Sequence, residues 1–124
     1  LNFLNLGNNN IKFLHPSLFS QKLKNLYLIR LDNNFLNQLP SFNGLKYLVS
    51  LNLTNQNKQL KKLDAYQFDR FGEKNGIEED NILQLSLCLE MNDFELISYQ
   101  AFCTLSTESF DLIELSMNTF LNFY

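Results

Sequence analysis

The sequence has 124 residues and a mass of 14.6 kDa, which is the size of a single domain. Hydrophobic residues make up 45% and charged residues 19%, so the chain has enough apolar material for a core and is not disordered as a whole. The net charge of -3 argues against nucleic-acid binding, which needs a basic face. Leucine and asparagine dominate, with 26 and 18 copies. This bias predicts a repeat built on a fixed residue template.

The first repeat, residues 1–25, provides that template. It is defined by apolar residues and one asparagine at fixed positions, namely Leu1, Leu4, Leu6, Asn9, Ile11, Leu14 and Phe19. The second repeat, residues 26–47, keeps the pattern with Asn34 in the asparagine position. Its Phe42 comes two residues earlier than the template requires. Self-similarity of this kind is the sequence signature of a stacked repeat.

The third repeat, residues 48–83, departs from the template. Gln56 stands where asparagine is expected, and the apolar pattern then resumes two residues late. The segment 69–80 is rich in charge and contains Gly72 and Gly76, which predicts an inserted surface loop. The template returns in the last two repeats, of which the final one is partial; they cover residues 84–109 and 110–124.

The spacing of the asparagine positions is typical of one family of repeat proteins. The five positions are Asn9, Asn34, Gln56, Asn92 and Asn118. Their spacings are 25, 22, 36 and 26 residues, and three of these four lie in the range of about 20–29 residues that leucine-rich repeats use. With phenylalanine near the end of the repeat, the chain resembles leucine-rich-repeat proteins of the type found in Toll-like receptor ectodomains. The segments HPSLFSQKL, LDAYQFDRF and ISYQAFCTL match the second half of that repeat.

The resemblance implies an α/β repeat fold, a leucine-rich-repeat solenoid shaped like a horseshoe. Short parallel strands line its concave face, and loops and short helical turns form its convex face. Alternating apolar and polar residues predict the same strands independently. One strand is expected per repeat, near residues 3–6, 28–31, 50–53, 86–89 and 112–115. We expect the whole chain, residues 1–124, to form one domain of about five repeats.

The asparagines and phenylalanines are expected to belong to the core. A buried amide both donates and accepts, so it can satisfy the backbone groups freed where the chain leaves the sheet. Asn9, Asn34, Asn92 and Asn118 are predicted to stack as a ladder, which Gln56 is expected to break. Phenylalanines are expected to fill the convex side in place of long helices; these are Phe19, Phe42, Phe68 and Phe102.

Function in a solenoid is expected on the concave sheet, at the polar positions between the inward leucines. Tyr27 and Arg30 are the leading contact candidates, because tyrosine and arginine often anchor protein interfaces. The alternative is that Arg30 pairs with Asp32 on an ordinary solvated face. The full set of candidate partner-binding residues is Tyr27, Arg30, Asp32, Asn52, Glu90, Asp111 and Glu114. The acidic members could receive a basic partner or form an ordinary solvated face.

Asn52 also begins the triplet Asn-Leu-Thr, which matches a glycosylation sequon. Such triplets arise by chance in an asparagine-rich chain. A glycan at mid-sheet would block binding on the concave face. The sequence leaves both interpretations open.

No catalytic residue, metal site or cofactor is predicted, and the chain is not expected to be an enzyme. His15 precedes a proline in a turn and is expected on the opposite side of the coil from Cys88, which excludes a thiol–imidazole pair. Metal sites need clustered ligands, and Cys88 and Cys103 are expected to face different sides and to remain unbonded. The most apolar stretch, Ile82–Met91, is shorter than the ~20 residues of a membrane span.

These observations predict a protein-binding module within a larger receptor or adaptor. Alternatives are spacer repeats without ligand contact and a ligand-sensing segment of a Toll-like receptor ectodomain. The type of repeat slightly favours an extracellular or cell-surface location and a role in signal transduction. Leu1 and Phe123 stand near ends without a visible polar cap. We therefore expect a part of a longer array that is unstable or self-associates in isolation.

Overall fold

The computed structural model describes residues 1–19, 21–43, 45–68, 85–102, 110–114, 118 and 122–123. The predicted loop at 69–80 and Cys103 lie outside these described residues. Eight short strands are present in this part of the chain. In chain order they are β1 (Phe3–Asn5), β2 (Leu28–Arg30), β3 (Ser50–Asn52), β4 (Lys62–Leu63), β5 (Leu85–Cys88), β6 (Leu96–Ile97), β7 (Phe110–Glu114) and β8 (Asn122–Phe123).

Five of these strands form one parallel sheet with the order β1-β2-β3-β5-β7. Each strand overlaps a predicted position, so the prediction of short parallel strands in one sheet is confirmed. The pairing register places equivalent leucine and isoleucine positions side by side; these are Leu4, Ile29, Leu51, Leu87 and Ile113. Of these, Ile29, Leu51 and Leu87 have no exposed surface. The architecture is compatible with a repeat solenoid.

A second parallel sheet lies away from the first and has the order β4-β6-β8. Its strands have only two residues each, and Leu63 and Ile97 are their buried members. Loops and short helical turns were predicted for this side, so the prediction missed the sheet. The described residues contain two helices, both of the 3-10 type, at Gln21–Leu23 and Tyr99–Phe102.

Phenylalanine rings stack through the core from one repeat to the next. The ring centroids of Phe19 and Phe42 are 5.4 Å apart, and those of Phe42 and Phe68 are 6.3 Å apart. All three rings are buried, as predicted for the residues that replace long helices. Such stacked aromatic pairs stabilise the core beyond the area that they bury.

Buried amides form a continuous ladder at the ends of the strands. Asn34 Nδ2 donates to the carbonyl of Leu6 at 2.9 Å in the preceding repeat, and to that of Leu31 at 3.0 Å in its own. Asn34 Oδ1 accepts the N–H of Ile11 at 3.1 Å. The Asn34 amide therefore ties two neighbouring coils together through their backbone groups.

Gln56 continues this ladder, so the prediction that it breaks the ladder is wrong. Its Nε2 donates to the carbonyls of Leu31 and Leu53 at 2.9 and 3.2 Å, and its Oε1 accepts the N–H of Leu36 at 3.2 Å. Its own N–H donates to Asn92 Oδ1 at 2.9 Å. The longer glutamine side chain makes the same contacts as asparagine because its amide group carries the same donors and acceptor.

Within the described residues, no helix has the length and apolar character required to cross a membrane. The main sheet has two faces. One is covered by the leucine core and the phenylalanine rings. The other is open and carries the side chains considered below.

Candidate partner-binding surface

The open face of the five-stranded sheet carries two rows of side chains. Residues on either side of a buried strand residue point to the opposite face of the sheet, and the register aligns them across strands. One row consists of Phe3, Leu28, Ser50 and Ser86, and the other of Asn5, Arg30, Asn52 and Cys88. We call these two rows, together with Tyr27, the exposed sheet face.

Arg30 is fixed by Asp32 through a two-pronged ion pair. Arg30 Nε and Nη2 lie 3.1 and 2.9 Å from Asp32 Oδ1 and Oδ2. The hydrogen bonds to this carboxylate, and its charge, raise the pKa of Arg30 above its ordinary value. The Arg30 side chain is 42% exposed and that of Asp32 only 6%. The ion pair with Asp32, which the sequence offered as the alternative to partner contact by Arg30, is therefore present. It leaves the outer edge of the guanidinium accessible.

The Asp32 carboxylate is held in place from two further sides. Asn33 Nδ2 donates to Asp32 Oδ2 at 3.1 Å. Gly7 lies against it, and a Cβ atom at Gly7 would stand 2.8 Å from Asp32 Oδ1. Because glycine has no Cβ, Gly7 leaves room for the Asp32 carboxylate. A larger residue at this position would displace the carboxylate.

Two exposed aromatic residues lie at the starts of β1 and β2: Tyr27 directly precedes β2, and Phe3 begins β1. Tyr27 and Phe3 are each 46% exposed, and the N–H of Tyr27 donates to the Asn2 carbonyl at 2.9 Å. Leu28 pairs with Phe3 across the two strands. Phe3, which was not among the candidate residues, extends the apolar part of the surface next to Tyr27. The sequence signal that could have identified Phe3 is its position in β1, next to the inward-facing Leu4.

Asn52 occupies the position in β3 that Arg30 occupies in β2. Its Oδ1 accepts the N–H of Thr54 at 3.0 Å, and Asn5 makes the same bond to Gly7 in the first repeat. The side chain of Asn52 is half-buried. In this position it supports the turn that follows the strand.

The acidic candidates lie at the other end of the sheet. Glu90 is half-buried and follows β5, where its carbonyl accepts the N–H of Asn55 at 3.0 Å. Asp111 and Glu114 belong to β7, and the backbone of Glu114 pairs with Cys88. The side chains of Asp111 and Glu114 lie outside the described part of the structure. The described geometry therefore brings together Arg30, Asp32 and Asn52, on β2, β3 and the turn after β2, while Tyr27 lies just before β2.

The residue before each of the ladder amides Asn9, Asn34, Gln56 and Asn92 has a left-handed backbone. The φ angles lie between 54° and 55° at all four positions, which are Asn8, Asn33, Asn55 and Met91. Asparagine tolerates this conformation better than most residues. Asn55 Nδ2 also donates to Asn33 Oδ1 at 3.0 Å, so these amides form a polar rim beside the exposed sheet face.

Cys88 is a free thiol on the exposed sheet face and is half-buried. Its Sγ lies 3.5 Å from Ser86 Oγ. His15 is engaged locally, since its Nδ1 lies 2.8 Å from Ser17 Oγ. Among the described residues, no three histidine, cysteine or carboxylate side chains are grouped so that they could hold a metal ion.

A groove of about 290 Å³ lies between the second and third repeats. It is lined by Asn37, Gln38, Leu39, Lys62, Asp64 and Gln67. Lys62 Nζ and Asp64 Oδ1 are paired with each other at 3.0 Å. Ligand pockets are usually larger and mainly apolar, so the groove by itself identifies no ligand.

Comparison of the chain with protein-family models and with curated proteins finds no match. Any function assigned to the chain therefore rests on its own residues and their geometry. The exposed sheet face is the surface on which polar, charged and aromatic side chains converge on neighbouring strands.

Proposed function

We propose that the chain is a leucine-rich-repeat module that binds a protein partner on the exposed sheet face. Three features support the repeat type: one parallel strand per repeat, an amide at the end of each strand, and a stacked phenylalanine behind it. These are the positions that the sequence template singles out. A stack of such coils presents an extended surface, which repeat proteins use for binding.

The observation that carries the binding proposal is Arg30 held by Asp32, together with two exposed aromatic residues at the starts of β1 and β2. Arginine and tyrosine are enriched among residues that dominate binding energy. Because Asp32 already holds the guanidinium, a partner that contacts Arg30 has less side-chain entropy to remove. Tyr27 and Phe3 add exposed apolar area to the same surface.

We propose a binding role rather than a catalytic one. The exposed sheet face is open and does not enclose a substrate. Acid–base chemistry commonly relies on enclosed groups whose pKa is shifted by burial or by neighbouring charge. On this face the shifted pKa belongs to Arg30, which the ion pair makes more firmly cationic.

The competing function is that of a spacer whose coils hold other regions apart. The ion pair of Arg30 with Asp32 favours this alternative, because it satisfies both charges without a partner. A spacer does not depend on the side chains of Tyr27 or Arg30. Substitution of these residues therefore separates the two functions.

The test is selection of binders from a phage-displayed random peptide library, followed by calorimetric measurement of their affinity. We expect selected peptides to lose affinity about tenfold or more with Tyr27→Ala and with Arg30→Ala. Tyr66→Asn is the matched control, because Tyr66 is equally exposed, lies outside the main sheet, and has a left-handed backbone that asparagine tolerates. A library that yields no binder, or binders sensitive only to Tyr66→Asn, contradicts the proposal and favours the spacer.

A further inference from the structure

The ion pair of Arg30 and Asp32 directs its positive end away from the protein. The side chain of Asp32 is buried, whereas that of Arg30 is exposed. Nε and one N–H of Nη2 are bonded to the carboxylate. Because a guanidinium carries five N–H donors in a planar fork, the Nη1 group and the second N–H of Nη2 remain available on the exposed sheet face.

Asn52, which lies beside Arg30 in the neighbouring strand, also presents donors. The register pairs the two residues across β2 and β3, and neighbouring strands lie about 4.8 Å apart. Asn52 Oδ1 accepts the N–H of Thr54 at 3.0 Å, so the acceptor of this amide is turned toward its own coil. Within the described residues its Nδ2 makes no hydrogen bond. Arg30 and Asn52 therefore form a pair of neighbouring N–H donor groups, which we call the donor strip.

The charge of the donor strip favours an anionic ligand. Of the residues that define the exposed sheet face, Arg30 alone carries a charge. A carboxylate that contacts the outer edge of Arg30 would lie about twice as far from Asp32 as from the guanidinium, so Coulomb attraction exceeds repulsion. The two oxygens of a carboxylate offer four acceptor positions. One carboxylate can therefore accept from Arg30 and Asn52 together.

Leu28 offers an apolar contact on the same face, two residues before Arg30. Ile29 between them is fully buried, so Leu28 and Arg30 point to the opposite face of the sheet. Leu28 is half-buried and lies beside Ser50 of the next strand. Alternate residues of a strand are about 6.6–6.8 Å apart, which sets the distance between the apolar contact and the donor strip.

We propose that the partner is an extended acidic peptide segment, with an aspartate or glutamate on the donor strip and an apolar side chain on Leu28. This inference rests on the proposed function, because it specifies the partner of the same surface. The acidic and the apolar residue of the partner are two positions apart, since alternate side chains of an extended chain share a face and have the spacing of Leu28 and Arg30. The residue between them points to solvent and is free to vary.

The first test is sequencing of a random peptide library displayed on phage, before and after selection on the chain. Selected peptides should be enriched in aspartate or glutamate two positions from leucine, isoleucine or phenylalanine. One such peptide is then synthesised with its acidic residue changed to the corresponding amide, and again with that residue exchanged with its neighbour. Each change should lower the calorimetric affinity about tenfold or more. The first removes the charge, and the second turns the carboxylate to the opposite side of the peptide.

A double-mutant cycle then tests whether the carboxylate contacts Arg30. The protein variant combines Arg30→Gln with Asp32→Asn, so that no buried carboxylate is left without its cation. On this variant the change from acid to amide in the peptide should cost less than about threefold in affinity. Lys61→Gln is the matched control, because Lys61 is an exposed cation that is also paired with a carboxylate, that of Glu95, outside the main sheet. It should leave the tenfold loss unchanged, and circular dichroism checks that each variant is folded.

The outcomes separate this inference from the proposed function. Binders that depend on Arg30 but lack an acidic residue two positions from an apolar one would overturn the inference and leave the proposed function in place. The same holds for an equal loss from the amide change on the natural chain and on the double variant. A library that yields no binder, or binders indifferent to Arg30, would overturn both.

Discussion

Met91 adopts a backbone conformation that its own side chain disfavours. Its φ of 54° matches those of Asn8, Asn33 and Asn55, which occupy the equivalent position in the other repeats. The turn out of the sheet imposes this conformation before each ladder amide. Three of the four positions carry asparagine, the residue after glycine that best tolerates it. Met91 is therefore a local weak point of the fourth repeat.

Met91→Asn is expected to stabilise the protein by ~0.5–1 kcal/mol, because it relieves left-handed strain at a half-exposed site. Chemical denaturation followed by circular dichroism measures the change. Leu96→Asn is the control, since Leu96 is also exposed but lies in a strand. It should not stabilise. A loss of stability with Met91→Asn would show that the methionine makes contacts that outweigh the strain.

Gly7 and Asp32 are expected to be energetically coupled. Gly7→Ala should cost ~1–2 kcal/mol, because the new methyl group would overlap Asp32 Oδ1 and force the ion pair with Arg30 to move. The same change in an Asp32→Ser background should cost much less. A double-mutant cycle of unfolding free energies measures this coupling. Equal costs in both backgrounds would mean that Gly7 is needed for another reason.

At the scale of the structural element, the amide ladder holds successive coils together. Asn34 and Gln56 each bond to their own coil and to the one before it. The contacts join side chains to the backbone, so they depend little on the identity of neighbouring side chains. The phenylalanine stack adds a second connection between the same coils on the far side of the core.

Gln56→Ala is expected to destabilise the protein by ~2–3 kcal/mol, because the Leu36 N–H would be left buried without an acceptor. The carbonyls of Leu31 and Leu53 lose one donor each but keep those from Asn34 and Asn92. Denaturant unfolding measures the cost. The control is Gln59→Ala at an exposed residue, which should change stability by less than ~0.5 kcal/mol. A similarly small effect of Gln56→Ala would indicate that the ladder contributes little at this point.

At the scale of the whole molecule, the periodicity of the sequence predicted the main sheet but not the second sheet or the role of Gln56. Regular spacing of inward leucines determines where strands pair, so β1, β2, β3, β5 and β7 could be placed. The second sheet could not, because strands as short as Lys62–Leu63 carry no periodic signal. Gln56 was misjudged because the template compares residue types, whereas the ladder requires only an amide of sufficient reach.

The candidate surface was also only partly predictable from the sequence. Alternation along the strands placed Arg30 and Asn52 on the exposed sheet face, whereas Tyr27 precedes β2. It could not decide between a free Arg30 and an ion pair with Asp32. That choice depends on the close approach of Gly7 from another repeat, which sequence spacing does not show.

In this chain Leu1 and Phe13 are 70% and 63% exposed, and covering these side chains is expected to stabilise its fold. Fusion of a capping coil with a polar outer face ahead of Leu1 should raise the Tm by several degrees, on the order of ~5 °C. It should also suppress oligomers in light scattering. Calorimetry on the fusion and on one with a scrambled cap measures the difference. A chain that is already a cooperative monomer without the cap contradicts this expectation.

The ladder also allows the number of residues in each coil to vary with little effect on strand pairing. Its bonds fix the chain only where it leaves the main sheet, and the register is kept although Ile29 and Leu51 are 22 residues apart and Leu51 and Leu87 are 36 apart. Loop closure becomes only slowly more costly as a loop lengthens. The stretch between Phe68 and Leu85 is thus a position where foreign sequence could be grafted without altering strand pairing. An evolving or engineered descendant of this protein could acquire new recognition loops there while its sheet stayed unchanged.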